Sequence, residues 1–253
     1  MKKFILLIAA GLMGMSLWAK CTSSGLSFFP SGNMISSNPV IVIDGFASDQ
    51  QTIRDLSGKH TAWLVAGKER IKLIVQETNE GQYGLTQALL RPEHPLKKGV
   101  TYKLQIDGMN KKEAETRLRR YQDDKWTAVT WTVTKEEKTY AKPAFSSLPV
   151  KTGEEYTMFG CGPAMYVNFT MGVKAEGQYL VKTVVADKAS GKETTWYLPV
   201  EDGKIKIGHG MCSGAFSFAP NGAYTVYFQV MNEKGDVSLI SGRPVSFDAP
   251  KMS

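Results

Sequence analysis

From residue 26 onward no long segment sustains a 3.6-residue apolar period, which removes helical bundles and most α/β folds from consideration. Short alternation bounded by turn residues recurs instead. Val40, Val42 and Phe46 follow Pro39, and Ile71 to Val75 precede the polar run Glu77-Thr78-Asn79-Glu80-Gly81. Met165, Val167, Phe169 and Met171 alternate with polar partners, as do Tyr224, Val226, Phe228 and Val230. A two-residue period gives each segment one apolar face. Many such segments about ten residues apart, punctuated by Gly, Asn and Asp, predict an all-β chain of antiparallel sandwiches. Only Lys111 to Tyr121 has any helical character, and it is so polar that a solvated loop or a single short turn is expected.

One local pattern occurs twice. Leu96-Lys-Lys-Gly-Val-Thr-Tyr102 places an apolar residue six before a tyrosine, with Leu104 and Ile106 two and four beyond it. Phe218-Ala-Pro-Asn-Gly-Ala-Tyr224, followed by Val226 and Phe228, repeats those offsets 122 residues later. The spacing resembles the tyrosine corner of immunoglobulin-like and fibronectin type III sandwiches, in which the ring packs at a strand start and its hydroxyl bonds back to the preceding turn. The first copy also resembles a bacterial Ig-like family of surface-layer and secreted proteins. Phe29-Pro30-Ser31-Gly32, Asn38-Pro39-Val40-Ile41-Val42 and the run Leu96 to Tyr102 carry that likeness. It covers roughly residues 26–134 and departs after Gly108, where Met109 to Lys125 is inserted. The second half resembles fibronectin type III through strand rhythm and corner. The resemblance therefore implies two tandem immunoglobulin-like antiparallel β-sandwiches, at 22–135 and 142–250, joined by a linker at 136–141 that permits some hinge motion.

The start of the chain reads as an address. Lys2 and Lys3 precede an almost continuous apolar run, Phe4 to Leu17, and small Ala19 offers a cleavage point. That run is too short for a membrane span with polar flanks, so residues 1–19 are expected to be a signal peptide, leaving no transmembrane segment in the mature chain. Export to the periplasm, the cell surface or the medium follows. Cys21 raises the alternative of a lipoprotein, but Lys20 immediately before it and Trp18 three before it are poorly suited to lipidation. The formal charge of +7 falls to +5 once Lys2 and Lys3 are removed. The basic residues alternate with acids rather than forming an arginine-rich helix, which argues against a nucleic-acid partner.

Few residues invite chemistry. His209, Met211 and Cys212, with Cys161 elsewhere, include copper-favouring ligand types. The histidine-first order and the shortage of further ligands argue against metal, and no cofactor is implied. Cys161 and Cys212 lie in glycine-flanked turns of one expected unit in an oxidising compartment and are expected to form a disulfide, with Cys21 unpaired. The alternative is two reduced, buried thiols. Asp123-Asp124 and Glu136-Glu137 are adjacent pairs that a strand would send to opposite faces, and Glu154-Glu155 reads as a turn. No hydrolase elbow, zinc helix or phosphate loop is present, so no catalytic residue is assigned. Trp126 and Tyr197 run out of phase with their apolar neighbours and are the candidate ligand contacts, packing against the other unit being the competing reading. The sequence points to a noncatalytic interaction or adhesion module of a bacterial envelope, with an envelope protein or glycan as partner. The alternatives are a glycan-binding protein using Trp126 or Tyr197 and a small periplasmic enzyme with an unrecognised site.

Overall fold

A computed structural model describes residues 24–136 and 140–251. The expected signal peptide, its cleavage site, Cys21 and part of the linker lie outside the described residues. No helix among those described is long and apolar enough to cross a membrane.

The chain is mostly β. Its first half contains β1 (Ser24–Phe29), β2 (Met34–Ile35), β3 (Ile41–Ala47), α1 (Asp49–Asp55), β4 (Ala62–Ala66), β5 (Glu69–Glu80), β6 (Leu85–Pro92) and β7 (Thr101–Ile106). It continues with α2 (Lys111–Arg117), β8 (Arg119–Gln122), β9 (Lys125–Ala128) and β10 (Thr130–Val133). Eight of these strands hydrogen-bond into one sheet in the order β1-β3-β6-β5-β4-β7-β10-β2. Ile35, Ile43, Leu64, Leu104 and Trp131, from five of its strands, meet in one buried core. Pairing is antiparallel except between β10 and β2.

The second half contains β11 (Ala144–Phe159), β12 (Gly162–Lys174), β13 (Tyr179–Asp187), β14 (Glu193–Leu198), β15 (Lys204–His209), β16 (Ala223–Asn232) and β17 (Val245–Asp248). They form a three-stranded sheet, β11-β12-β15, and a four-stranded sheet, β14-β13-β16-β17. Both sheets contribute to a single core: Val167 and Phe169 from β12 and Ile207 from β15 share it with Val181, Trp196, Phe228 and Phe247. Alternate inward residues along each strand explain this, as a period of two requires.

The two tyrosines are placed alike. Tyr102 is fully buried and its hydroxyl accepts from the Lys97 backbone N–H at 3.2 Å while donating to Glu69 at 3.1 Å. The buried Tyr224 accepts from the Ala219 N–H at 2.7 Å. Each bond reaches back five residues, closing the turn ahead of a strand.

The polar segment after Gly108 differs from its expected form. Asn110 accepts from the Glu113 N–H at 3.0 Å, and Glu113 returns to the Asn110 N–H at 2.9 Å. This reciprocal cap offsets orphan donors and starts a helix that apolar periodicity does not reveal. Arg117 at its far end pairs with Asp49, buried at the start of α1. Glu154 and Glu155 also differ: they lie within strand β11, where Glu155 takes Lys206 of β15 at 2.9 Å, rather than in a turn.

The halves are welded together. Val40, Val42 and Leu89 of the first pack with Leu180, Tyr197 and Met231 of the second. The Gln87 side chain accepts from the Tyr197 N–H at 3.0 Å and donates to the Tyr197 carbonyl at 3.1 Å, so one amide pairs with backbone as a strand would. A second seam pairs Tyr83 with Gly214 through reciprocal backbone bonds of 3.1 and 2.8 Å. A Cβ on Gly235, at φ +81°, would strike Arg91 and Val40 across this interface. Hinge motion at the linker is opposed by these contacts.

Candidate functional site

Trp126 projects from a tight hairpin. β8 and β9 pair with Tyr121 opposite Trp126 and Gln122 opposite Lys125. Asp123 and Asp124 make the two-residue turn with φ of 48° and 58°, the left-handed geometry that matches strand twist, and aspartate tolerates it. Trp126 and Tyr121 are each 58% exposed, and their rings meet edge to face at 5.5 Å. The Arg119 guanidinium lies 4.6 Å over the Trp126 ring, and Arg119 makes no ion pair among the described residues.

Below this platform the hairpin is anchored. Arg120 is buried and donates to the carbonyls of Ser31 at 2.7 Å, Gly32 at 3.1 Å and Pro30 at 3.2 Å, and also to Thr130. Gln122 donates to the Ser31 carbonyl at 2.7 Å, and Trp131 Nε1 donates to Pro30 at 2.9 Å. Desolvation disfavours the Arg120 cation and lowers its pKa, and carbonyl oxygens rather than a carboxylate compensate it. The exposed aromatics therefore sit on a rigid base.

Beside the platform lies a cavity of about 440 Å³ lined by Leu26, Phe28, Arg119, Tyr121 and Trp126. A second cavity of about 430 Å³ opens between the two halves and reaches Asp44, Gln87, Gln178 and Tyr197. Ser27, Phe28 and Ser31 line both, so the second cavity adjoins the first at β1. Register explains its polar floor: Ser27 faces Asp44 across β1–β3, and Asp44 faces Gln87 across β3–β6. Asp44 accepts from Gln87 at 2.8 Å and from Ser27 at 3.3 Å. Burial pushes its carboxyl up to about 7 despite both bonds. A desolvated carboxyl in a cleft is the sort of group that functional sites concentrate. No sequence motif marks Asp44, because its environment is made by strands far apart in the chain.

Tyr197 is corrected by the structure. It is buried rather than exposed, and its hydroxyl donates to Glu77 at 2.9 Å across the interface. Trp196 fills the core of the second half while Tyr197, opposite in phase, covers the first half. Both faces of β14 are buried, so phase alone could not distinguish solvent from a neighbouring unit.

The expected bond between Cys161 and Cys212 is also corrected. Cys161 is an exposed thiol outside any disulfide, whereas Cys212 is disulfide-bonded, so the two do not pair with each other. Cys161 instead lines a third cavity, of about 640 Å³, with Tyr83, Met165, His209 and Phe218. His209 is buried, its Nδ1 lies 2.8 Å from the Gly210 carbonyl, and its ring lies 4.9 Å from that of Tyr83. Met165 is the strand partner of His209. Cys161 lies four residues before Met165, in the turn that precedes β12. Among the described residues, no three of His, Cys, Asp and Glu gather as a metal site.

Comparisons with known proteins are sparse. No family model matches the chain, and no curated protein does. Among solved structures, a pullulanase type I from Bacillus subtilis complexed with maltose aligns at 7% identity and a TM-score of 0.25, covering 90% of this chain and 24% of the enzyme. A pullulanase from Anoxybacillus complexed with maltotriose aligns at 11% identity and TM-score 0.26, covering 80% and 24%. A DUF4785 family protein from Legionella pneumophila aligns at 9% identity and TM-score 0.24, covering 87% and 56%. The chain thus spans from about a quarter to just over half of these structures, and TM-scores this low carry no argument.

Proposed function

We propose that the chain is an exported, noncatalytic interaction module of a bacterial envelope, two tandem immunoglobulin-like units that meet their partner through the β8–β9 hairpin. The observation that carries this reading is the Trp126–Tyr121 pair, two large aromatics held more than half exposed on a hairpin whose base is pinned by Arg120. Singly exposed apolar residues are common on protein surfaces, but a rigid aromatic pair beside a groove supplies contact area at little entropic cost. The welded interface adds support, since it keeps both units and the groove between them in one fixed relation. The leader-like start supplies the compartment. The test is recovery of a partner from envelope material by immobilised wild-type protein and by Trp126→Ala/Tyr121→Ala of unchanged melting temperature. Recovery by the wild type and loss by the double variant is expected. Equal recovery by both, or turnover of a substrate abolished by a point substitution, overturns the reading.

A further inference from the structure

We propose that the groove from Trp126 to Asp44 binds an acidic oligosaccharide, stacked on the hairpin aromatics with its carboxylate at Arg119 and its hydroxyls along the floor toward the cleft between the units. This rests on the reading of the hairpin as the contact surface and names the class of ligand.

Three observations carry it. The first is the kind of backbone left along the groove. Arg120, Gln122 and Trp131 already occupy the carbonyls of residues 30–32, and Gln178 Oε1 takes the N–H groups of Ser31 at 2.8 Å and Gly32 at 3.0 Å. An extended peptide laid along residues 30–32 would find those ladder partners spent, so recognition there falls to side chains, while β1, the terminal strand of its sheet, keeps one edge open. The second is the side-chain set itself. One end presents aromatic rings, and the other presents the Asp44 carboxyl and the Gln178 amide within one cavity, with the Gln87 amide already spent on Tyr197 and Asp44. Sugar rings offer apolar C–H faces to aromatics and hydroxyls that both donate and accept. An ionised carboxylate has about four acceptor sites and a protonated one adds an O–H donor, and Gln87 and Ser27 use only two acceptor sites at Asp44. The third is charge. Arg119 has no carboxylate among the described residues, and its planar fork matches a carboxylate in two parallel bonds.

The test uses the full exported chain and isothermal titration with a tetrameric oligouronate, a neutral gluco-oligosaccharide of equal length, an extended acidic peptide, and sodium acetate at matched carboxylate concentration. The oligouronate is expected to bind, and the neutral sugar about tenfold more weakly. Trp126→Ala should lower oligouronate affinity about tenfold or more, while Arg119→Gln should remove the preference for the acidic sugar and leave the neutral one unaffected. Asp44→Asn and Ser27→Ala read the far end, and at least one should weaken the tetramer while leaving a monomeric uronate unchanged. Tighter binding of the peptide than of either sugar, equal binding of acetate, or indifference to Arg119→Gln overturns the proposal. If envelope capture depends on Trp126 while no glycan binds, the contact surface stands and the ligand class falls.

Discussion

Asp44 offers the sharpest test of how the two halves fit. Its carboxyl lies on the outer face of the first sheet, under the second unit, and burial raises it from 3.8 to about 7. The sign follows directly: between those values the unfolded chain has released a proton that the folded protein retains. Stability from this group is therefore fullest below pH 3.8 and is lost as pH rises to about 7. Each unit corresponds to about 1.4 kcal/mol. Asp44 is half-buried and keeps some access to water at the cleft, so we expect a loss of about 2 kcal/mol rather than the full sum. Asn at this position keeps the acceptor for Gln87, now at 2.8 Å, and turns its NH₂ toward the Ser27 hydroxyl, now at 3.3 Å. Urea unfolding of wild type and Asp44→Asn at pH 4 and pH 8 isolates the effect, because all other titrating groups cancel between the proteins. The variant should lose less stability on going to pH 8 and should be the more stable protein there. The same pH dependence in both, or a variant destabilised at pH 8, would refute the argument from burial.

Two further outcomes follow from the packing. Tyr102→Phe and Tyr224→Phe should each lower unfolding free energy by about 1 kcal/mol, with Tyr102 the more costly because it loses both the Lys97 and the Glu69 bond; chemical denaturation ranks them. Cys212→Ser should destabilise by about 2–4 kcal/mol through loss of its disulfide, whereas the exposed Cys161→Ser should leave the melting temperature nearly unchanged; equal effects would contradict the assignment.

Local physics was readable without coordinates. Alternation marks strands because successive side chains point to opposite faces, and Val167, Phe169, Val226, Phe228 and Val230 are all buried where it places them. The two tyrosines carry their own turns, since each hydroxyl finds its partner only five residues away. Where both faces of a strand are covered, alternation loses its meaning. Ile41 and Ile43 enter the first core while Val40 and Val42 face the second unit, and the sequence shows only an unbroken apolar run. The helix α1 escaped because only Asp49 and Ile53 of its seven residues are buried, too few to show a period. Trp126 was legible as out of phase, although it belongs to a separate hairpin rather than to the strand that follows. Asp44, the groove, the fate of Tyr197 and the disulfide state of Cys161 and Cys212 were not legible. Each depends on contacts between segments distant in the chain, such as Gln87 with Tyr197, 110 residues apart. Short-range chemistry is written into neighbouring residues, but which surfaces lose their water is decided only when the two halves close on one another.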